Sequence, residues 1–490
     1  MTETLRSPRD YVRRAAELGA NRVALRSGDR ATTYGELAAQ SVALAASLRD
    51  AGVGPGVQVA HAFPNSVAFA VWYSAIWEAG GIVVPLAPPS FAPETARLIA
   101  DSDAAFLALP DGASLPSGVD ALPTSVAGWH GALFRVAGAA APIDTRPWTE
   151  DGYAVRHFSS GSTGRAKHMF KSEANLAFSL GILREAAALD ETEVFLGALP
   201  FHTPYGVRAL HAAFDLGAAV TILPRFLPGS ALSAARRDRT TVFLASPAMI
   251  DSLAGCRLED GDEAAFRTLK LCISSGAMLR REACEAFRAR FGVPVRTWYA
   301  TSETMGIAID FEDGFEDGRV GTLMPGVEVG IFDAAGAPLP AGAVGQIAIR
   351  SDGCSRSYVN DPVASAKVFR DGWVFPGDRG YLDSSGRLFV VGRDDVINVG
   401  GYKVDPLEVE RVVREALPVG EVIVLAGTRA DLPAVKVVVE ADPARVTPAM
   451  VVAACRARLS PYKVPAEVEV RARIERTASG KIVRTSLDGR

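Results

Sequence analysis

The segment Tyr153-Ala-Val-Arg-His-Phe-Ser-Ser-Gly-Ser-Thr-Gly-Arg-Ala-Lys167 joins a strand-like run to a loop rich in hydroxyl groups and glycine. In such a loop, backbone N–H groups, hydroxyls and one ammonium can surround phosphate oxygens. The spacing differs from the P-loop pattern G-x-x-x-x-G-K-[ST], because Lys167 follows Ala166 and precedes His168. The segment therefore predicts a strand and argues against a P-loop kinase or GTPase. Alone, it does not decide between a phosphate-binding loop and an ordinary connection.

The sequence on both sides of this loop predicts an α/β protein. Helix-period stretches alternate with short Val/Ile/Leu runs from Tyr34 to about Phe389, which is typical of largely parallel sheets. The predicted strands include Val57 to Ala60, Ile82 to Leu86, Val220 to Leu223 and Val242 to Ala245. The most apolar region, Val67 to Pro89, contains a glutamate and two glycines, so it predicts a core helix and a strand and not a membrane span. The alanine-rich Gly131 to Pro142 is interpreted as a surface connection.

The pattern of predicted strands and helices changes twice after residue 320. Short strand-like runs and the turn Asp333-Ala-Ala-Gly336 predict a small β-rich region from Gly321 to Arg350. After Gly392, a strand-like run meets Gly400-Gly401, and Asp405-Pro-Leu-Glu408 carries the signals of a helix start. A second unit is therefore predicted to begin near residue 393.

Composition and charge exclude several classes of protein. Among 490 residues, 52 basic side chains nearly balance 56 acidic ones, and the formal net charge of -4 favours neither nucleic acid nor an anionic membrane surface. The five cysteines are odd in number and lack a C-x-x-C pair, so neither a disulfide framework nor a zinc site is expected. The first 19 residues mix both charge signs and do not resemble a signal peptide. We expect a cytoplasmic protein with no nucleic-acid partner and no membrane attachment.

Several segments, in a fixed order, resemble the motifs of the superfamily of acyl-CoA synthetases, peptide-synthetase adenylation domains and luciferases. Ser159 to Lys167 resembles its phosphate loop [ST]-S-G-[ST]-T-G-x-P-K, with alanine for proline, and Tyr299-Ala-Thr-Ser-Glu303 resembles Y-G-x-T-E. Phe375-Pro-Gly-Asp378 resembles the T-G-D segment, and Gly392-Arg393 to Glu410 resembles the domain junction. Arg476 to Arg484 matches R-T-x-S-G-K-I-x-R. The resemblance covers essentially the whole chain.

The resemblance implies an AMP-forming acid–thiol ligase. Such an enzyme uses ATP and Mg²⁺ to convert a carboxylic acid into acyl-AMP and pyrophosphate, and it then transfers the acyl group to coenzyme A. The implied architecture is a large N-terminal domain, residues 1–392, of two α/β sheet subdomains and a small β-rich subdomain. A small mobile α+β domain, residues 393–490, follows it and carries the adenylation lysine.

The resemblance also implies the site residues. The catalytic ones are Lys481, Glu303, Lys167 and His202, with Glu303 as the Mg²⁺ ligand. The nucleotide-binding ones are Ser159, Ser160, Gly161, Ser162, Thr163, Gly164, Ser275, Gly276, Ala277, Tyr299, Ser302, Asp378 and Arg393. Without the resemblance, Tyr299 would be an ordinary core tyrosine, Asp378 a turn residue and Lys481 an exposed lysine. With it, Tyr299 stacks on adenine, Asp378 binds the ribose hydroxyls with Arg393, and Lys481 reaches the carboxylate and the α-phosphate.

A hinge and a thiol path are implied at the domain junction. The family alternates two domain arrangements, in which the catalytic lysine and a Gly-Gly loop, here Gly400-Gly401, serve different half-reactions. The family usually has Arg-x-Asp at the hinge. In this chain, the stretch between Arg393 and the downstream block Asn398-Val-Gly-Gly401 is one residue shorter than in the family, so counting from either end gives a different aspartate. Either Asp394 or Asp395 is therefore the hinge.

The segment from Leu199 to Arg208 bears on the acid. Amino-acid-activating relatives carry an aspartate where this chain has His202, so an aryl or short acyl acid is expected and an α-amino acid is not. The predicted pocket residues are His202, Tyr205, Gly206, Ser274, Thr301, Met305 and Gly306. Arg208 is read as a helix-surface arginine, with a second polar group of the substrate as the alternative partner.

Two other functions stay open. A stand-alone enzyme that loads the phosphopantetheine of an acyl carrier protein would share the same thiol chemistry, and Lys463 is the one lysine of Ser460 to Val464 that suits the nucleotide phosphates of coenzyme A. A non-catalytic nucleotide-binding relative is the candidate from another class, although an intact Lys481 and Glu303 argue against it. The sequence leaves monomer and homodimer equally open.

Overall fold

A computed structural model describes most of the chain. The described residues are 7–88, 95–138, 142, 152–159, 167–259, 261–393, 397–399, 402–404, 406–429, 432–459, 463–476, 482–483 and 487. The chain divides into two units. The first consists of Met1–Gly161, Arg165–Glu328 and Ile349–Val374, and the second of Ser162–Gly164, Val329–Ala348 and Phe375–Arg490.

Several helices of the described residues begin after a side chain that caps the helix end. Thr33 and Ser172 form capping boxes with Glu36 and Asn175, and Ser66, Ser246 and Thr447 each accept a backbone N–H of the first turn. The helices are α1 (Tyr11–Gly19), α2 (Tyr34–Asp50), α3 (Val67–Glu78), α4 (Thr95–Asp101), α5 (Glu173–Ala186), α6 (Arg208–Leu216), α7 (Pro228–Asp238), α8 (Pro247–Gly255), α9 (Arg281–Phe291), α10 (Pro362–Val368), α11 (Pro406–Ala416) and α12 (Pro448–Arg458), with 3-10 turns at Pro8–Asp10 and Asp262–Ala264.

The strands are short, and most of them in the first unit are apolar. They are β1 (Val23–Ser27), β2 (Arg30–Thr33), β3 (Gln58–His61), β4 (Ile82–Pro85), β5 (Phe106–Pro110), β6 (Ala121–Gly128), β7 (Gly131–Val136), β8 (Tyr153–Ser159), β9 (Lys167–Ser172), β10 (Val194–Gly197), β11 (Ala219–Ile222), β12 (Val242–Ala245), β13 (Leu271–Ser274), β14 (Val295–Thr301), β15 (Met305–Ile309), β16 (Arg319–Leu323), β17 (Glu328–Phe332), β18 (Gly345–Arg350), β19 (Phe369–Arg370), β20 (Trp373–Val374), β21 (Asp378–Leu382), β22 (Leu388–Arg393), β23 (Ile397–Val399), β24 (Tyr402–Val404), β25 (Val422–Arg429), β26 (Leu432–Glu440) and β27 (Glu467–Arg471).

Two sheets build the first unit. One has the order β6-β7-β5-β3-β4-β8-β9, with β5, β3, β4 and β8 parallel. In the other, β14, β13, β12, β10, β11 and β1 are parallel neighbours, with β15 antiparallel to β14 and β2 antiparallel to β1. Strands β3, β4, β11, β12 and β13 are buried along their whole length, as expected for parallel strands covered on both faces. The α/β prediction is therefore confirmed, including a core helix and strand within Val67 to Pro89.

The second unit is built from smaller sheets that are antiparallel except for the parallel pair of β26 and β27. Strand β21 pairs with β18 and β22, β23 pairs with β24, and β25, β26 and β27 form a three-stranded sheet with α11 and α12. The carboxylate of Asp333 accepts the N–H groups of Ala335 and Ala337, both at 2.8 Å, which confirms the predicted turn. The division into residues 1–392 and 393–490 stays a prediction.

The interpretation of Gly131 to Pro142 was wrong in its first half. Residues Gly131–Val136 form β7, which pairs with both β5 and β6. Leu133 is fully buried, and Gly131 lies so close to Trp72 that a Cβ there would be 2.5 Å from the indole nitrogen. Burial on the sheet therefore overrides the low strand propensity of alanine and glycine.

Candidate active site

Three predicted site segments follow parallel neighbours of the second sheet. The segment of His202 comes after β10, Ser275-Gly276-Ala277 after β13, and Ser302-Glu303 after β14. Strands β10, β12, β13 and β14 run parallel in that order. Because the carboxyl ends of parallel strands share one edge of a sheet, these segments lie along the same edge, which is where ligands bind in α/β folds.

Asn65 fixes the backbone that leads into His202. This buried side chain donates to the carbonyl oxygens of Leu199 at 2.8 Å and Leu223 at 3.1 Å, and its oxygen accepts the N–H of Phe201 at 2.8 Å. A buried amide that satisfies three backbone groups holds a loop in one conformation. The sequence did not point to Asn65, since its partners lie more than 130 residues away.

Gly206 and Gly306 are positions where only glycine fits. A Cβ on Gly206 would lie 2.0 Å from the carbonyl oxygen of Pro200, and one on Gly306 would lie 2.9 Å from the Trp298 ring and 3.0 Å from the sulfur of Met324. Both predicted pocket residues therefore let other atoms approach closely. Thr203 closes the turn at Gly206 by accepting its N–H at 3.0 Å.

Tyr205, Trp298 and Arg208 form an aromatic and cationic cluster. The Tyr205 hydroxyl donates to the carbonyl oxygen of Ile273 at 3.1 Å, and its ring meets the Trp298 ring edge-on at 5.8 Å. The guanidinium carbon of Arg208 lies 5.1 Å from the centre of the Trp298 ring, a cation–π contact. Arg208 is 5% exposed, so the favoured reading of a helix-surface arginine was wrong. Helix α6 has no solvent face at this end, because its residues from Arg208 to Asp215 are all buried.

His202 is an electrically neutral part of the edge. Burial lowers the pKa of its imidazole to about 4, so the ring carries no charge near pH 7. Among the described residues, no acidic side chain is hydrogen-bonded to it. Phe201, the preceding residue, packs against Phe69 with ring centres 5.4 Å apart. This part of the site is therefore suited to an apolar or aromatic group, and none of the described carboxylates bonds to His202 as a partner for a substrate ammonium.

Thr301 and Met305 flank a tight turn between β14 and β15. The two residues are opposite each other in the pairing, which is irregular between Tyr299 and Ala300. The Thr301 and Thr304 hydroxyls are 3.0 Å apart, and Met305 has a φ of 64°. A non-glycine residue in the left-handed region is typical of functional sites, at a cost of about 1–3 kcal/mol. The turn thus holds predicted pocket residues in an uncommon conformation.

Tyr358 brings Glu303 and Lys167 together. Its hydroxyl donates to Oε1 of Glu303 at 2.7 Å, and the Lys167 ammonium lies 4.9 Å from the centre of its ring. Tyr358 is 5% exposed, so both contacts are largely shielded from water. Two predicted catalytic side chains of opposite charge, 136 positions apart in the sequence, therefore meet on one aromatic residue that the sequence did not single out.

Lys171 fixes the backbone at Glu303. This buried ammonium donates to the carbonyl oxygens of Glu303 at 2.8 Å and Gly353 at 3.0 Å, and the N–H of Ser355 also donates to the Glu303 carbonyl at 2.7 Å. Burial lowers the pKa of Lys171 to about 8. The loop that carries the predicted metal ligand is thus tied to residues 353–355.

The predicted phosphate loop is held at both ends. Ser159 ends β8, Lys167 begins β9, and the two are register partners in an antiparallel pair. Ser160, Gly161, Ser162, Thr163 and Gly164 lie outside the described residues. Of the other predicted nucleotide-binding residues in this unit, Ser275 is buried, Gly276 and Ala277 are exposed, and Tyr299 and Ser302 are half-buried on and after β14.

In the second unit, Asp378 and Arg393 are neighbours. Asp378 begins β21, Arg393 ends β22, and the pairing places them directly opposite each other. The backbone thus supports their prediction as a pair. Lys481, Asp394, Asp395, Gly400 and Gly401 lie outside the described residues. Arg476 and Ile482, which are described, form an isolated antiparallel bridge.

The donor set fits Mg²⁺ that arrives with ATP better than a metal enclosed by protein. Mg²⁺ in nucleotide-dependent enzymes keeps several waters and uses one or two carboxylates with the phosphates. The half-buried Glu303 carboxylate, at the edge of the sheet, offers one such oxygen ligand. Among the described residues, no group of three or more His, Cys, Asp or Glu side chains could hold a metal ion.

Comparison with known proteins identifies the family. The family model described as AMP-binding enzyme matches residues 12–359. The chain belongs to this family. It is 31% identical over 484 residues to a feruloyl-CoA synthase of an Amycolatopsis species, with 96% of each protein covered. The resemblance stated from the motifs is therefore confirmed.

Solved structures of adenylating enzymes share the fold of this family member. The ATP-bound MatB of Rhodopseudomonas palustris superimposes with a TM-score of 0.82 and 25% identity over 98% of each chain. The amide bond synthetase McbA of Marinactinospora thermotolerans gives a TM-score of 0.80 and 27% identity, over 98% of this chain and 99% of McbA. Within the described part of this chain, no helix is long and apolar enough to cross a membrane.

Proposed function

We propose that this protein activates a carboxylic acid with ATP to form acyl-AMP and pyrophosphate, and then transfers the acyl group to the thiol of coenzyme A. The observation that carries the proposal is the meeting of Lys167 and Glu303 at Tyr358, on the sheet edge that also presents His202. Membership of the AMP-binding family and the similarity to a feruloyl-CoA synthase support both half-reactions.

Adenylation requires positive charge at the phosphates. A carboxylate is repelled by ATP, so the enzyme must neutralise charge and align the attacking oxygen with the α-phosphorus. We assign this work to Lys167 and Lys481, and Mg²⁺ held by Glu303 supplies further positive charge when bound. The remaining nucleotide contacts are assigned to the loop Ser160–Gly164, to Tyr299 at adenine, and to Asp378 with Arg393 at the ribose.

The acid that this site favours is an aryl or short acyl acid. His202 is neutral, since burial lowers its pKa to about 4, and Tyr205 and Trp298 add aromatic surface. An α-amino acid would bring an ammonium to a region whose described cation, Arg208, would repel it. The similarity to a feruloyl-CoA synthase agrees with an aromatic acid.

The thiol step is assigned to a second arrangement of the chain. In this proposal, residues 393–490 move about Asp394 or Asp395, which withdraws Lys481 and presents Gly400-Gly401 to the pantetheine. The acceptor is coenzyme A, and a carrier-protein phosphopantetheine is the alternative. Lys463, the candidate for the phosphates of coenzyme A, is paired with Glu408. A cytoplasmic location and a monomer or homodimer remain predictions.

A second candidate function is amide formation. It is favoured by the similarity to McbA, an amide bond synthetase, over 98% of this chain. An amine in place of the thiol would attack the same acyl-AMP, so adenylation is common to both candidates.

One experiment separates these functions. Acid-dependent pyrophosphate exchange is measured over a library of aryl, aliphatic and amino acids, and each active acid is then supplied with coenzyme A, a phosphopantetheinylated carrier protein or an amine. We expect exchange with aryl or short acyl acids and product with coenzyme A. Exchange only with proteinogenic amino acids would refute the acid class, and no exchange with any acid would favour a non-catalytic nucleotide-binding protein.

A further inference from the structure

Arg208 differs from the other buried arginines of the first unit in its lack of acceptors. Arg156, 1% exposed, donates to Gln58 Oε1 at 2.9 Å and to the carbonyl oxygens of Ser102 at 2.5 Å and Asp101 at 2.9 Å. Arg208, 5% exposed, makes one hydrogen bond among the described residues, a long one of 3.4 Å to the carbonyl of Ser179, and no ion pair. A guanidinium has five N–H donors, so most of its capacity is left unused.

Arg319, the other nearly buried arginine, shows the same contrast. It bonds to Asp310 at 2.9 Å, to Glu316 at 3.0 Å and to the carbonyl of Gly314 at 2.6 Å. Two carboxylates therefore compensate its charge, whereas no described carboxylate compensates that of Arg208. Leaving a charge buried without a partner is strongly destabilising. An acceptor supplied by a ligand would remove this cost.

Two more buried donors have no partner among the described residues, and one of them, on Trp298, adjoins Arg208. The indole Nε1 of Trp298, whose ring lies under the guanidinium, is buried without a partner among the described residues. The hydroxyl of Ser274 is also buried and without one. Ser274 ends β13 beside β14, the strand of Trp298, and Tyr205 contacts both strands through Ile273 and Trp298. Each of the three donor residues is at least nine-tenths buried. Ser274 is a predicted pocket residue, and Trp298 contacts the predicted pocket residue Tyr205.

We infer that Arg208, with Trp298 Nε1 and the Ser274 hydroxyl, binds a second acidic group of the substrate, so that the acid is a dicarboxylate or an equivalent acid with two anionic oxygen groups. The inference rests on the proposed adenylation and deepens it. One carboxylate reacts with ATP near Lys167 and Glu303. The other accepts the fork of N–H groups of Arg208, a pairing whose planar geometry favours a carboxylate. Arg208 is thus a specificity-determining residue and takes no part in bond formation.

The test compares matched acids in wild type, Arg208→Met and Arg208→Lys. The acids are benzoate, isophthalate and terephthalate, and butanoate with succinate. Arg267→Met, which removes an exposed arginine, is the control. In pyrophosphate exchange, wild type is expected to prefer a diacid of one series over its monoacid by about 10- to 100-fold in kcat/KM, the strength of a charged hydrogen bond. Arg208→Met should lower kcat/KM for that diacid by a similar factor and abolish the preference, and Arg208→Lys should retain part of it.

Two readouts that do not depend on catalysis complete the test. Without ligand, Arg208→Met should melt at the same temperature as wild type or higher, because a methionine removes the buried charge. Diacid binding, followed as a rise in melting temperature without ATP, should be lost in this variant. Equal loss of kcat/KM for mono- and diacids, with a lower melting temperature, would make Arg208 structural and overturn the inference. If no acid supports exchange but diacids still stabilise wild type and not Arg208→Met, the proposed function fails and the inference stands. If neither assay detects a diacid, the inference fails.

Discussion

Two groups of residues in the first unit differ in whether their polar atoms have hydrogen-bond partners within the protein. On the nucleotide side, defined by Lys167, Lys171, Glu303 and Tyr358, the polar groups bond to one another or to the backbone. The Glu303 carboxylate accepts a hydrogen bond from Tyr358 at 2.7 Å. The backbone carbonyl oxygens of Glu303 and Gly353 both accept from the Lys171 ammonium. On the acid side, defined by His202, Tyr205, Arg208, Ser274 and Trp298, two donors have no described partner and Arg208 has one long bond.

The difference indicates which part of the site the chain completes by itself. Groups that bond to each other are in place before a substrate arrives, which is the arrangement that lowers the cost of reorganisation during a reaction. Groups left unpaired in the site can instead bond to a ligand, which removes the cost of burying them. Substitutions on the nucleotide side should therefore slow adenylation of every acid alike, whereas those on the acid side should change the ranking of acids. Three predictions test this comparison, and a fourth concerns a core histidine outside both groups.

The largest effect is expected from Lys481→Ala. Loss of a positioned positive charge should lower acyl-AMP formation by roughly 10²- to 10³-fold for every acid, by analogy with the loss of an oxyanion-hole donor. Thioester formation from supplied acyl-AMP should be largely spared. Gly401→Leu should do the reverse, since a bulky side chain obstructs the pantetheine path.

Pyrophosphate exchange and single-turnover thiolation are measured for both variants, with Lys367→Ala as an exposed-lysine control. Equal losses in both half-reactions for both variants, with the fold intact, would favour one fixed active site over two alternating arrangements.

Glu303→Gln should have the next largest effect. A neutral amide is a poor ligand for a hard cation, so the Mg²⁺ concentration for half-maximal exchange should rise by about 10²-fold, equally for all acids. A Mg²⁺ titration of exchange at saturating ATP measures this. Glu282→Gln, an exposed glutamate of α9, serves as the control. Wild-type Mg²⁺ dependence in Glu303→Gln would remove Glu303 as the metal ligand.

Tyr358→Phe should have a smaller effect of the same kind. It removes the hydroxyl that orients Glu303 and keeps the ring against Lys167, so the half-maximal Mg²⁺ concentration should rise about 10-fold while the KM for ATP changes less. Tyr358→Leu removes both contacts, so it should raise the KM for ATP as well. Identical Mg²⁺ and ATP profiles for the two variants would show that Tyr358 acts only by filling space.

These two variants also mark what the sequence could and could not provide. The strand before the phosphate loop, the parallel strands and the segment ends at β10, β13 and β14 follow from local patterns and motif spacing, and the structure has them. Tyr358 and Asn65 act through partners 55 and 134 positions away or more, which no local pattern encodes. A helix-start signal does lie next to Tyr358, at Asp361-Pro362, but it marks a turn and not a contact.

Arg208 shows a different limit of the sequence. Helical periodicity places a charged residue on an outward face when the helix has one. Residues Arg208 to Asp215 of helix α6 are instead all buried, which depends on how α1, α5, β10 and β11 pack around the helix. Gly131–Val136 was misread for the same reason, because strand formation there follows from burial against Trp72 and not from propensity.

The smallest effect is expected in the pH dependence of stability. Burial lowers the pKa of His61 to about 3, below its ordinary value of about 6.5. Between these values the unfolded chain binds more protons, so the free energy of unfolding falls as the pH falls from about 6.5 towards 3. His61→Leu should reduce the slope by up to about 1.4 kcal/mol per pH unit.

Urea unfolding at pH 5, 6 and 7 measures this slope. His130, an exposed histidine, provides the control variant His130→Asn. The same slope in wild type and His61→Leu would mean that His61 is not a neutral core residue. Neither variant should alter the ranking of acids, since His61 packs against Phe63 and Phe69 in the core.

Gly206 and Gly306, two predicted pocket residues without room for a Cβ, restrict how the acid preference can be engineered. At Gly206 any side chain would meet the Pro200 carbonyl at 2.0 Å, and at Gly306 it would meet Trp298 at 2.9 Å. A mutant library that varies them would consist mostly of misfolded clones. Ser274, Thr301 and Met305 offer side chains that can be exchanged without moving the backbone contacts at Pro200. Directed evolution for new acids should therefore keep both glycines and vary those three positions.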